Sequence, residues 1–293
     1  WIIKRYCKFC SYRYSCIRRD TEKGEFFLKD IQYVFMDIDG VLYRGHTPLI
    51  GAKEFINYLT EHKIKFICVT NNSAKTPADY SRKLKRMGIN IHQENIVNSG
   101  IATVEYIKEK FLNQKKELSA YVVGGNGLIS LIKDAGITIK EKNPDLVIVG
   151  WDIDFTYDKM KKASLAIQKG ATYIGTNPDT TYPSEEGVLP GCGAILASIT
   201  TASGVEPIII GKPKSLIMEI AAKRISALKE KSLMIGDRID TDIQAGKNFG
   251  IKTALVLSGV VTKSNLQKYE ISPDYVFEDM MDLYTKLKNI RKV

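Results

Sequence analysis

The sequence predicts an α/β fold: a doubly wound, mainly parallel sheet into which a second α/β unit is inserted. Three observations carry this reading. From residue 31 onward short β-rich runs alternate with longer helical patterns, which argues for helices layered on a parallel sheet. The runs are apolar almost without a break, as strands covered on both faces are. One interval between the strand ends that carry polar residues is too long for a single crossover.

Taken in order, the first predicted strand is Ile31 to Asp37. After it Ala52, Phe55, Ile56 and Leu59 fall at i, i+3, i+4 and i+7, the stripe of a helix packed on a sheet. The next strand, Ile64 to Thr70, is followed by Thr76 and Pro77, an N-cap and N1 pair for a helix ending at Gly88. Strands are then expected at Tyr121 to Gly124 and Asp145 to Gly150, with Thr156 capping a helix that runs to Gly170. Thr172 to Thr176, Pro207 to Gly211, Ser232 to Gly236 and Thr253 to Leu257 complete the set. In such folds chemistry sits at the carboxyl ends of strands that recur every ~30 residues. Asp37 to Thr70 is 33 residues and Lys212 to Asp237 is 25, but Thr70 to Lys212 is 142. The expected division is therefore a basic tail over 1–30, core over 31–114, an inserted unit over 115–190 and core again over 191–293. PGCG at 190–193 is the expected hinge.

Composition excludes several classes. With 44% hydrophobic and 26% charged residues in 293, the chain is an ordinary globular protein, and its apolar runs fall far short of the roughly 18 residues that cross a bilayer. The net charge is +10, yet residues 1–24 hold seven Lys or Arg against two acids, so half the excess lies there. No groove-reading motif accompanies it, and small anionic partners suit the charge better than nucleic acid. Five scattered cysteines describe no disulfide framework and fit a reducing, cytoplasmic setting. Cys7 and Cys10 form a CxxC that lacks a second pair for zinc. The first twenty residues lack an uninterrupted apolar stretch and read as a tail.

The stretch VFMDIDGVLYRG concentrates the chemistry. Where the strand ends and Gly40 permits a turn, Asp37 and Asp39 can face one pocket, and two adjacent carboxylates must share a proton or a cation. A metal-bound carboxylate is a competent nucleophile towards phosphorus. A second carboxyl two residues on can protonate the leaving alkoxide and then deprotonate water. Other strand ends supply what such a reaction needs. FICVTNNS brings Thr70, Asn71 and Asn72, IIIGKPKS brings the Lys212 ammonium, and LMIGDRIDTDI brings Asp237, Asp240 and Asp242. Hard oxygen ligands of this kind select Mg²⁺.

These four segments, in this order, resemble the motifs of the haloacid dehalogenase-like (HAD) phosphohydrolase superfamily, over about residues 31–280. DxDGVLYRG, TNNS, GKP and GDRxxTD together are similar to the branch of 4-nitrophenylphosphatases, phosphoglycolate phosphatases and NagD-like phosphatases. The resemblance implies a HAD-like Rossmannoid core with a large α/β cap, Asp37 as nucleophile forming an aspartyl-phosphate, and Asp39 as general acid and base. It implies Thr70, Asn71 and the adjoining Asn72, with Lys212, on the phosphoryl group. Mg²⁺ would be held by the Asp37 carboxylate, the Asp39 carbonyl and Asp237, with Asp242 near its waters; Asp240 sits at a variable place. The expected activity is Mg²⁺-dependent hydrolysis of small phosphomonoesters such as 4-nitrophenyl phosphate, phosphoglycolate, sugar or nucleotide phosphates, with a possible homodimer through the cap.

The alternatives are a HAD-type phosphotransferase or phosphomutase and a receiver-like phosphoacceptor module. A receiver lacks the acid at +2 and a domain-sized insertion; a dehalogenase has no need of Asp39. GGNG at 124–127 lacks the third glycine of a nucleotide loop and reads as a tight turn. His46, His62 and His92 are isolated and expected at the surface. TNPDTTYP at 176–183 is either a structural turn or a specificity loop, with Asn177, Asp179 or Tyr182 facing the leaving group.

Overall fold

Alternation along the first strand already separates two cores. In β1 (Tyr33–Met36), Val34 and Met36 point into one apolar cluster and Phe35 into another, so both faces are covered. The computed structural model describes residues 27–112, 117–184 and 187–291. Cys7, Cys10, Cys16 and most of the expected tail lie outside them. Of that tail, Leu28 is described, and it is buried in the main core.

After β1 a short hairpin, β2 (Tyr43–Arg44) and β3 (Thr47–Pro48), leads to helix Ala52–Glu61, whose buried Ala52, Phe55, Ile56 and Leu59 are the predicted stripe. β4 (Lys65–Thr70) is followed by helix Pro77–Arg86, β5 (Ile96–Asn98) and helix Ser99–Ile107. Then come β6 (Ser119–Val123), helix Asn126–Asp134, β7 (Thr138–Ile139), β8 (Leu146–Val149), helix Tyr157–Gln168 and β9 (Thr172–Gly175). A hairpin of β10 (Thr181–Ser184) and β11 (Gly187–Pro190) precedes helix Cys192–Ser203 and β12 (Ile208–Ile209). Helix Leu216–Ile225, β13 (Ser232–Gly236), helix Gln244–Phe249, β14 (Lys252–Val256), β15 (Tyr275–Phe277) and helix Met280–Arg291 close the chain.

The strands form two parallel sheets. One has six strands in the order β15-β14-β13-β1-β4-β5, the other five in the order β12-β9-β8-β6-β7. Phe35, Ile67 and Met234 of the first sheet share a cluster with Ala120, Ile148 and Ile174 of the second, with Ala102, Leu128 and Ile217 of three helices between them. The far face of the second sheet packs Val147, Val149 and Tyr173 on helices Tyr157–Gln168 and Cys192–Ser203. Among the described residues no helix is long and apolar enough to cross a membrane.

Two expectations are corrected here. The strand predicted at Pro207 to Gly211 is short and pairs with β9, so it is an edge of the second sheet and not a strand of the first. The expected PGCG hinge is instead a helix start whose Cys192, Ile195 and Leu196 pack on the second sheet. Its glycines allow contact: a Cβ on Gly191 would lie 2.3 Å from the Asp179 carbonyl oxygen, and one on Gly193 2.4 Å from that of Pro178. GGNG answers a similar demand, since a Cβ on Gly127 would lie 2.4 Å from the Ala74 carbonyl oxygen.

The predicted start of helix Pro77–Arg86 is a full capping box. Thr76 Oγ1 accepts from the Asp79 N–H at 3.2 Å, and Asp79 Oδ2 accepts from the Thr76 N–H at 3.0 Å. Thr76→Ala removes the first bond and should lower unfolding free energy by about 1 kcal/mol in urea titration. An unchanged midpoint would remove the cap from this account.

Candidate active site

β1 ends at Met36, but the next residue still pairs: the Asp37 N–H donates to the Ile235 carbonyl at 2.9 Å. Asp37 is thereby fixed at the carboxyl edge of the sheet beside β13. Gly40 then turns the chain with φ of 85°, and a Cβ there would lie 2.3 Å from Asp237 Oδ2. Both the dihedral and the neighbouring acid require glycine. Asp39 follows a different course. Its Oδ2 accepts from the Tyr43 hydroxyl at 3.2 Å, and Tyr43 in turn lies under the Lys83 ammonium, 3.7 Å from the ring centroid.

The end of β4 supplies a clasp. Thr70 Oγ1 accepts from the Asn72 N–H and Asn72 Oδ1 from the Ala74 N–H, so these two side chains shape the loop itself. Asn71 reaches across to the GKP segment: its Oδ1 accepts from the Lys212 N–H at 2.8 Å and its Nδ2 donates to the Lys212 carbonyl at 2.9 Å. Asn71 Nδ2 also donates towards Asp179, 3.0 and 3.2 Å from its two carboxylate oxygens. The Asn71 carbonyl accepts from Asn177 Nδ2 at 2.8 Å.

Lys212 is 2% exposed, and its ammonium donates to Asp37 Oδ1 at 2.6 Å, Asp242 Oδ1 at 2.6 Å and the Val69 carbonyl at 2.8 Å. All three of its donors are used. Asp242 Oδ2 accepts from the N–H groups of Asp237 and Arg238, and Asp237 Oδ2 from that of Val260. Carboxylate oxygens of Asp37, Asp237 and Asp242 lie within 4.8 Å of one another. Three buried acids thus face one ammonium.

Electrostatics follow from that imbalance. Burial raises the Asp37 carboxyl well above the carboxylate range against the pull of Lys212, and Asp242 and Asp237 add to the rise. Asp237 is pushed up to about 7 by burial and then by Asp242. Burial works against the Lys212 charge, but Asp242 and Asp37 more than restore it. Asp39 reaches solvent, yet the protein around it strips enough hydration to raise its carboxyl, which Lys83 and the Tyr43 hydroxyl oppose. A set of hard, anionic oxygens this close fits a divalent cation.

The structure therefore brings Asp37, Asn71, Lys212, Asp237 and Asp242 together. The Asp39 carboxylate stands outside the three-acid cluster, and Asn72 turns to Ala74. Asp240 is exposed and pairs with Arg238 two residues away. The three histidines are exposed, as expected. Sequence reasoning missed Tyr43 and Lys83 beside Asp39. Tyr43 stood in the quoted VFMDIDGVLYRG, but nothing in the spacing told a core tyrosine from one that binds Asp39. Asp179, one of three residues that could face a leaving group if TNPDTTYP is a specificity loop, has its carboxylate on the Asn71 amide.

Comparison with known proteins agrees with this architecture. Residues 34–138 match the family described as haloacid dehalogenase-like hydrolase, and residues 209–283 match a HAD-hydrolase-like family. The chain is 40% identical over 267 residues to an acid sugar phosphatase of Staphylococcus haemolyticus, an alignment covering 90% of this chain and 100% of that one. A 4-nitrophenylphosphatase from Thermotoga maritima superposes with a TM-score of 0.84 at 36% identity, covering 88% of this chain and 98% of the other. NagD from Escherichia coli K-12 superposes with a TM-score of 0.78 at 33% identity, covering 86% and 98%.

The raised acids give a pH dependence of stability. Between about pH 4 and pH 7 the folded chain keeps a proton on Asp237 that the unfolded chain, with an ordinary carboxyl near 3.9, has released. Stability without a cation must then fall as pH rises through that window. The raised Asp37, Asp39 and Asp179 act in the same direction, and the acids held low, Asp79, Asp240 and Asp274, act below it. In chelator, Tm should be lower at pH 7 than at pH 5, and a divalent cation should reverse the difference. A Tm that is flat or rises across this interval in chelator contradicts the account.

Proposed function

The chain belongs to the haloacid dehalogenase-like hydrolases, and from that premise we propose that it is a Mg²⁺-dependent phosphatase of small phosphomonoesters that works through an aspartyl-phosphate on Asp37. The observation that carries this reading is the Lys212 ammonium bridging Asp37 and Asp242 inside a three-carboxylate cluster at the strand ends. Relatives named acid sugar phosphatase and 4-nitrophenylphosphatase support sugar phosphates and aryl phosphates as the first substrates to test.

In this mechanism the free oxygen of Asp37 attacks phosphorus, and the bond from phosphorus to the ester oxygen breaks. Asp39, its carboxyl raised by lost hydration, gives its proton to the departing alkoxide; it then takes one from a water that attacks phosphorus, which breaks the bond to the Asp37 oxygen and releases inorganic phosphate. Lys212 offsets negative charge on the phosphoryl oxygens and on Asp37, while Thr70 and Asn71 frame the phosphoryl group at the end of β4. Asp37 and Asp237, with the Asp39 carbonyl, would hold Mg²⁺, and Asp242 would orient its waters. The ion supplies charge neutralisation that one ammonium among three buried acids lacks.

The second sheet with its helices and the β10–β11 hairpin acts as the cap over this site. Exposed Ile153 and Tyr157 on that unit support a homodimer through it. Buried free thiols at Cys68 and Cys192 suit a reducing, cytoplasmic setting.

Asp37→Asn removes the nucleophile at constant shape and should abolish turnover of 4-nitrophenyl phosphate, with far-UV circular dichroism unchanged. Substantial activity in the purified variant would sink the assignment. Chelator should stop hydrolysis by the wild type and added Mg²⁺ restore it, whereas turnover that persists in chelator counts against a metal.

A further inference from the structure

We propose that Asp179, carried by the second unit, is a positioning residue that sets the orientation of the Asn71 amide and through it the place of Lys212. This rests on the phosphatase reading above and deepens it. The geometry has three linked parts. Asn71 must present Oδ1 to the Lys212 N–H and Nδ2 to the Lys212 carbonyl, because the reverse amide orientation would set donor against donor and acceptor against acceptor. A carboxylate only accepts, so Asp179, with both oxygens within 3.2 Å of Nδ2, stabilises the first orientation and opposes the second. With its main chain held on both sides, Lys212 projects its ammonium between Asp37 and Asp242.

Asp179 is itself held. Its N–H donates to Asn177 Oδ1 at 3.1 Å, its carbonyl accepts from the Gly193 N–H at 2.7 Å, and Asn177 Nδ2 returns to the Asn71 carbonyl. The loop after β9 therefore meets the loop after β4 at both the main chain and the side chain of Asn71. Placement of the second unit and placement of the reactive ammonium are joined through one amide group.

A residue that acts through Lys212 affects every phosphate ester alike, whereas one that touches a leaving group affects some and spares others. The test compares wild type, Asp179→Ala and the isosteric Asp179→Asn on 4-nitrophenyl phosphate and on a sugar phosphate, with Tm recorded for each. Asp179→Ala should lower kcat about tenfold on both esters with KM changed by less than about twofold. Asp179→Asn, which keeps one acceptor but can also donate, should fall between Ala and wild type. Wild-type kcat in Asp179→Ala overturns the proposal. So does a loss confined to KM or to one ester, which would make Asp179 a specificity residue. If the Ala variant does not fold, Asp179→Asn carries the comparison: a uniform fall in kcat sustains the proposal and none overturns it. Absence of turnover by the wild type on both esters would instead refute the phosphatase reading.

Discussion

The structure depends on one ammonium placed where water does not reach. Lys212 bridges Asp37 and Asp242 at once, with Asp237 a few ångströms away. Stranding a buried charge by removing its partner costs about 3–5 kcal/mol, so the cluster is a liability to the fold. The fold contains it by giving each group fixed partners. Asp242 takes two main-chain N–H groups, Asp237 takes a third, and Lys212 uses its last hydrogen on the end of β4. What remains uncompensated is net negative charge, and that residue of imbalance is what a cation would use.

The same constraint accounts for where the glycines and the buried strands lie. Strands covered on both faces give ends that do not drift, and acids placed on such ends can be held a few ångströms apart. Gly40 lets the chain turn away at once, before a side chain could intrude on Asp237. Ser258, whose hydroxyl donates to the Gly40 carbonyl at 3.0 Å, pins that turn to the loop that follows β14.

Much of this was legible in the sequence because the relevant signals are local. Apolar runs ending in DIDG, TNNS and GDRIDTD marked three strand ends of one sheet, and the Ala52, Phe55, Ile56 and Leu59 stripe named the buried face of a helix. The third motif was legible as chemistry but not as topology. Lys212 follows a two-residue strand that belongs to the other sheet, and an apolar run does not record which sheet it joins. β5 and β15, three residues each, were too short to give a period. The Asn71 clasp was hidden for another reason: an amide can serve a ligand or a main chain equally well, and only its partners, 108 and 141 residues away, decide between them.

Beside the apolar cluster that the two units share, part of their contact is bare backbone. Gly127 lies against the Ala74 peptide, and Gly150 leaves room for the Ser73 hydroxyl, each where a Cβ would collide. At these points no atom can be added without moving the main chain, so the seam is fixed by shape as well as by burial. The β10–β11 hairpin is more open, with Val188 exposed and Tyr182 stacked on Trp151. The molecule thus joins a seam that admits no added atoms to a rim that does, and a larger side chain on the hairpin can be accommodated without moving the acids at the strand ends.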